Sequence, residues 1–235
     1  MGFTGSAPGG RSIRRSLRGR VLVAIRFAIV FSLMAAAPID AAQPATREQA
    51  ARSLAQPDVR ARRDAATRLG EIGTMTDVRT LVRALRDDDE ETRANAELAI
   101  WRIWARSGDP EIDRLYETGI HQMEEGDLRE AIATFTRIIE RKPAFAEAWN
   151  KRATVYFMLG ELRKSLADCD EVMKRNPYHF GALAGYTQIY IQLEYYDRAL
   201  DYARRALEVN PNMEGVRRNL ELLEHVQEQR RQQTI

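Results

Sequence analysis

Three prolines, Pro143, Pro177 and Pro211, stand 34 residues apart twice in succession, and the segments ending just beyond them can be written beneath one another. A fixed period of about 20–50 residues means stacked units, each burying its apolar face only against its neighbours. Units 112–145, 146–179 and 180–213 each place a large apolar residue early (Leu115, Trp149, Leu183) and a small or modest one four residues on (Gly119, Ala153, Thr187). Their second halves repeat Ala131, Ser165 and Ala199, then Ile132, Leu166 and Leu200, then Ile138, Val172 and Ala206. Such spacing predicts two amphipathic helices of about 14 residues in each unit. The small residues let antiparallel helices approach closely. Gly126-Asp127 and Gly160-Glu161 mark the turns, and Glu194 replaces the glycine in the third. Each proline closes its unit, because it lacks an amide hydrogen and pushes the preceding residue out of helical geometry.

Trp149, Ala153, Tyr156, Gly160, Ser165 and Pro177 resemble the signature of the tetratricopeptide repeat, and the resemblance covers residues 110–212. Ser165 takes the place of the usual alanine, and Gln122 stands where Tyr156 and Tyr190 stand in the other units. The resemblance implies an all-α fold, an α-solenoid of helical hairpins whose first helices line a concave face. Carried over residue by residue, that groove comprises Tyr116, Ile120 and Met123, then Asn150, Thr154 and Phe157, then Ala184, Gln188 and Ile191. Some members of the family hold a peptide's terminal carboxylate with lysine, arginine and asparagine. Here Tyr116, Ile120, Gly181 and Gly185 occupy most of the matching places, and only Asn150 and Lys151 correspond. The implied partner is an extended or helical protein segment with apolar anchors, oriented by Asn150 and Gln188. Residues 213–235 carry Val216, Leu220, Leu223 and Val226 at helical spacing before a polar tail, as expected of a capping helix.

A second, less regular repeat lies in residues 46–108. Arg62, Asp64, Ala65, Leu69 and Ile72 align with Arg93, Asn95, Ala96, Ile100 and Ile103 at an offset of 31. The stretches 63–73 and 81–93 resemble HEAT-like repeats. Two such units are few for independent stability, so they are expected to lean on the neighbouring stack, with Trp101 and Trp104 filling the joint. The acidic run 87–91 reads as a solvated turn ahead of a helix N-terminus, where acids interact well with the helix dipole.

Residues 1–42 differ in kind. Five arginines precede an apolar run at 21–37 broken by Arg26, and small residues follow at Ala41 and Ala42. This reads as a signal peptide or a membrane anchor, placing the chain in a bacterial periplasm or tethered to the membrane facing it; a mitochondrial leader is a further alternative. Arginine outnumbers lysine 32 to 4, which fits a GC-rich genome. Without the leader's six arginines and one aspartate, 30 basic and 33 acidic residues remain, a net charge near −3. Nucleic-acid binding then loses the concentrated positive field that it needs.

No catalytic residue, metal ligand or cofactor site is nominated. The three histidines lie apart, and His121 with Glu125 reads as a surface pair four residues along a helix. Cys169, the single cysteine, reads as a small buried hydrophobe. The chain is therefore read as a non-enzymatic protein-interaction module, a scaffold or adaptor, with a regulatory subunit of an envelope enzyme or assembly complex as the alternative. The oligomeric state stays open.

Overall fold

The computed structural model describes residues 46–233. The leader at 1–42, and with it the expectations of export or anchoring, lies outside them. Among the described residues every regular element is helical. The first are α1 (Arg47–Ser53), α2 (Val59–Ile72), a single 3-10 turn (Met75–Asp77), α3 (Val78–Ala84) and α4 (Glu90–Trp104). Asp58 and Asp89, 31 residues apart, cap α2 and α4 by accepting from backbone amides of the first turn. The acidic run is more than a solvated turn. Asp87 accepts two bonds from the Arg62 guanidinium at 2.7 and 2.9 Å, and Asp89 two from Arg63 at 2.8 and 2.5 Å. These forks tie α2 to the loop before α4, and they hold both carboxyls below the usual carboxylate range. Between them Leu69, Leu81, Leu85 and Ile100 are fully buried, each contributing about 1.5–3 kcal/mol.

Three hairpins follow: α5 (Pro110–Glu125) with α6 (Leu128–Arg141), α7 (Ala146–Met158) with α8 (Leu162–Arg175), and α9 (Phe180–Gln192) with α10 (Tyr196–Val209). A last helix, α11 (Glu214–Gln233), packs on α10 and buries Val216 and Leu223. The helix ends repeat with the 34-residue period. Asp127, Glu161 and Tyr195 donate their amides to Gln122, Tyr156 and Tyr190 at 2.8, 2.8 and 2.9 Å. Each bond closes a turn through a left-handed residue: Gly126 (φ 83°), Gly160 (φ 74°) and Glu194 (φ 59°). The third hairpin thus makes the same turn as the other two and holds a side chain where glycine is favoured.

The small residues of the first helices set how closely each hairpin closes. A Cβ on Gly119 would stand 2.6 Å from the Phe135 ring. In the next two units the pairs at these positions are Ala153 with Cys169 and Thr187 with Ala203, all buried. As the residue on the first helix grows, its counterpart on the second shrinks, which conserves the volume between them.

The N-terminal helices lean on the hairpins, and their aromatic contacts fall on the third hairpin while Ala105 packs on the core of the first. Trp101 meets Phe180 edge-on with ring centroids 5.0 Å apart, and Trp104 stacks on His179 at 4.3 Å. Both partners open the third hairpin. Farther along, Asn212 donates its amide to the Leu85 carbonyl at 2.8 Å, and the Arg86 guanidinium bonds the Glu208 and Val209 carbonyls.

Candidate functional site

The first helices α7 and α9 lie side by side, and between them a cleft of about 110 Å³ opens, lined by Asn150, Thr154, Phe157 and Gln188. On its α9 wall Gly181 and Gly185 present only backbone beside Gln188 and Ile189, and Cys169 lines it from α8. Four of the residues expected in a groove therefore meet at one opening. Of these, Thr154 and Gln188 are exposed and Phe157 is half-buried. The Thr154 hydroxyl donates back to the Asn150 carbonyl at 3.0 Å, so its methyl is what it offers a ligand. Ile120 and Met123 pack on the core of the first hairpin, and Ile191 on that of the third. Ala184 joins the cluster that seats α11.

Tyr116 and Asn150 stand apart from the expectation for a physical reason. Both are largely buried, at 9% and 8% exposure, and both face Glu147 in the first turn of α7. That carboxylate is itself 2% exposed. It accepts from Asn150 Nδ2 at 3.1 Å, Tyr116 Oη at 3.4 Å and His179 Nε2 at 2.8 Å, and Lys151 Nζ stands 3.3 Å away. The Ala182 amide donates to His179 Nδ1 at 3.0 Å, so the imidazole proton sits on Nε2 and points at Glu147. Burial pushes the Glu147 carboxyl up, but the His179 bond, the Lys151 charge and the Asn150 amide outweigh it and hold it below the usual range. Burial and the same carboxylate push the Tyr116 phenol well above its usual range.

Asn150 and Lys151 are thus committed to a buried acid, which removes the two positions that corresponded to a terminal-carboxylate clamp. Sequence reasoning missed Glu147 and His179. A signal existed for His179: it occupies the slot filled by Phe145 and Met213 in the other units, an apolar position turned polar.

Elsewhere the side chains match their local readings. His121 and Glu125 form an exposed pair at 3.3 Å. Burial pushes the Cys169 thiol up to about 12, so it stays protonated and inert near neutrality. The guanidiniums of Arg152 and Arg175 both lie over the Trp149 ring, and Arg152 forks onto Asp168 with both bonds at 2.8 Å. Among the described residues no group of three acid, histidine or cysteine side chains could hold a metal ion. No helix among them is long and apolar enough to cross a membrane.

Comparisons with known proteins fit this geometry. Residues 186–213 match the family model described as tetratricopeptide repeat. A TPR repeat-containing protein of Rhizobium etli is 36% identical over 104 residues, 44% of this chain and 50% of that one. The Hsp70-Hsp90 organizing protein 2 of Arabidopsis thaliana is 27% identical over 135 residues, 55% of this chain and 23% of its own. The chain therefore spans half or less of the length of these curated relatives. Among solved structures, the Sgt2 TPR domain of Aspergillus fumigatus superposes with a TM-score of 0.50 at 21% identity, covering 53% of this chain and 83% of that one. Residues 186–213 carry the tetratricopeptide-repeat match, and the hairpins built from α5 to α10 share the fold of tetratricopeptide-repeat domains.

Proposed function

We propose that the hairpin stack is a protein-interaction module, and that an extended or helical segment of a partner protein lies across the concave face between the second and third hairpins. The observation that carries this reading is the α7–α9 cleft. It gathers an apolar anchor point at Phe157, a free amide at Gln188 and a methyl at Thr154 around a wall stripped of side chains at Gly181 and Gly185. Such a surface suits an apolar side chain of a partner, with its backbone held by the amide. The name of the Arabidopsis relative describes a protein that organises two others, which supports an adaptor as the class. Cationic groups that would read an acidic tail are missing from this cleft's lining, so the partner segment is apolar and amide-bonded. The arginine-rich leader at 1–42 supports a place in the bacterial cell envelope, and the resemblance of residues 46–108 to HEAT-like units supports a second solenoid segment in front of the hairpins.

Photocrosslinking in cells tests this. A crosslinker at position 188 is expected to capture a discrete protein adduct that one at position 222, on the exposed Leu222 of α11, does not. Adding Phe157→Ala should weaken that capture by about tenfold or more, since few residues carry most of an interface's affinity. Equal labelling from positions 188 and 222, or an adduct indifferent to Phe157, would overturn the groove reading. Asn150 is left intact in these variants, because its amide supports Glu147 inside the fold.

A further inference from the structure

We propose that a second cleft, at the corner between the first and second hairpins and closed on one side by Trp104, binds a carboxylate carried on a small apolar body. Its volume is about 330 Å³, and it shares no lining residue with the α7–α9 cleft. Trp104, Phe145 and Met75 supply an apolar floor, and Lys142 and Asn176 stand at its polar side. A volume near the lower end of ligand sites suits a molecule of amino-acid size.

Two buried donors in this lining have no acceptor. Trp104 is 3% exposed and Asn176 2%, and neither Trp104 Nε1 nor Asn176 Nδ2 has a hydrogen-bond partner. The Asn176 donor shares this with the equivalent Asn210 Nδ2, so the indole N–H is the unmatched donor particular to this cleft, and a buried N–H is normally satisfied. A planar carboxylate offers one oxygen to the indole and leaves the other for a second donor.

The repeat also breaks its own pattern here. Asn176 and Asn210 close their corners by accepting from the Tyr178 and Asn212 amides at 3.2 and 3.0 Å. At the equivalent place in the first unit stands Lys142, which cannot accept. Its ammonium makes no hydrogen bond or ion pair among the described residues, although it lines the cleft. Arg106 adds a second positive charge, its guanidinium donating only to the neutral carbonyls of Gly70, Glu71 and Gly73. Arg175 is matched by Glu171 at 2.5 Å, and the one acid in the lining, Glu147, is matched by Lys151 and His179. Among the lining side chains the balance is positive, although Asp109 lies near Lys142 and Asp113 near Arg106, and a charge-assisted bond from lysine favours the ionised acid. The indole N–H is shielded from solvent, so a ligand reaches it by moving a wall side chain, and half-exposed, unbranched Met75 is a lining side chain with freedom to move.

The indole N–H resonances of the full chain report on this directly, because it holds three tryptophans. With N-acetyl-leucine as probe, the Trp104 indole resonance, assigned by its loss in Trp104→Phe, is expected to shift and saturate. N-acetyl-leucinamide, which lacks the charge, should leave it in place. Lys142→Gln, at a partly exposed position outside the hairpin cores, should weaken N-acetyl-leucine about tenfold, as loss of a charge-assisted bond implies. A tetrapeptide ending in leucine that binds as well as N-acetyl-leucine would identify the carboxylate as a chain end, and weaker binding would identify a free small acid. No shift with N-acetyl-leucine, an equal shift with the amide, or a shift with inorganic phosphate alone would overturn the proposal and leave water as the donors' partner. These outcomes do not depend on Phe157 or Gln188, so the concave-face reading stands or falls separately.

Discussion

Residues 112–213 and residues 46–104 are both helical, yet different contacts hold them. In the hairpins each unit closes on itself and on the next, through matched volumes such as Gly119 against Phe135 and through turns repeating every 34 residues. In the N-terminal helices the internal core is joined by arginine forks onto Asp87 and Asp89, and the block rests on the far end of the chain through Trp101, Trp104 and Asn212. A repeat that pairs with its neighbour can gain or lose a unit and still stack. A block that docks on residues 75 or more positions away fixes how many units lie between. The first design is extensible, and the second closes it.

The largest expected effect tests the hairpin side of this contrast. Phe135→Ala removes a fully buried ring facing Gly119, and should cost about 3–5 kcal/mol in denaturant unfolding, because the glycine opposite cannot fill the cavity. A loss near 1 kcal/mol would mean that the first hairpin is loosely packed and that the volume matching is incidental.

Trp101→Ala probes the docking contact and should cost about 2 kcal/mol, less than a fully buried aromatic because Trp101 is only half-buried. Hydrogen exchange is the sharper readout. Amides of α2 and α4 should lose protection ahead of those of α7 and α8. Uniform loss along the chain would erase the distinction, showing one cooperative unit in place of a stack with a docked block.

The smallest effect refines the repeat itself. Glu194 holds φ 59°, a left-handed conformation that costs an L-residue about 1 kcal/mol relative to glycine. Glu194→Gly should therefore stabilise the third hairpin by up to about 1 kcal/mol, the gain being reduced by the greater freedom of glycine in the unfolded chain. A destabilised variant would show that the Glu194 side chain holds the turn by contacts that outweigh its backbone strain.

Much of the hairpin architecture was legible because its causes are local. Pro143, Pro177 and Pro211 end their units for steric reasons that do not depend on the fold, Gly126 and Gly160 supply left-handed turns, helical spacing places Thr154 and Phe157 on one face of α7, and the 34-residue period puts Gln188 at the place of Thr154 on α9. Four of the expected groove residues met at one cleft for that reason. Tyr116 and Asn150 did not behave as surface groups, because a buried acid recruits whatever donors surround it, and the identity of that acid depends on which helices meet. The sequence by itself thus determined the period, the turns and the faces of the hairpins. Only the tertiary structure decided that Trp101 and Trp104 rest on the third hairpin, that Glu147 and His179 are buried between them and the stack, and that Lys142 and the Trp104 indole share a cleft. Contacts between residues so far apart in the chain leave no periodic trace, since their partners are chosen by how the solenoid curves back on itself.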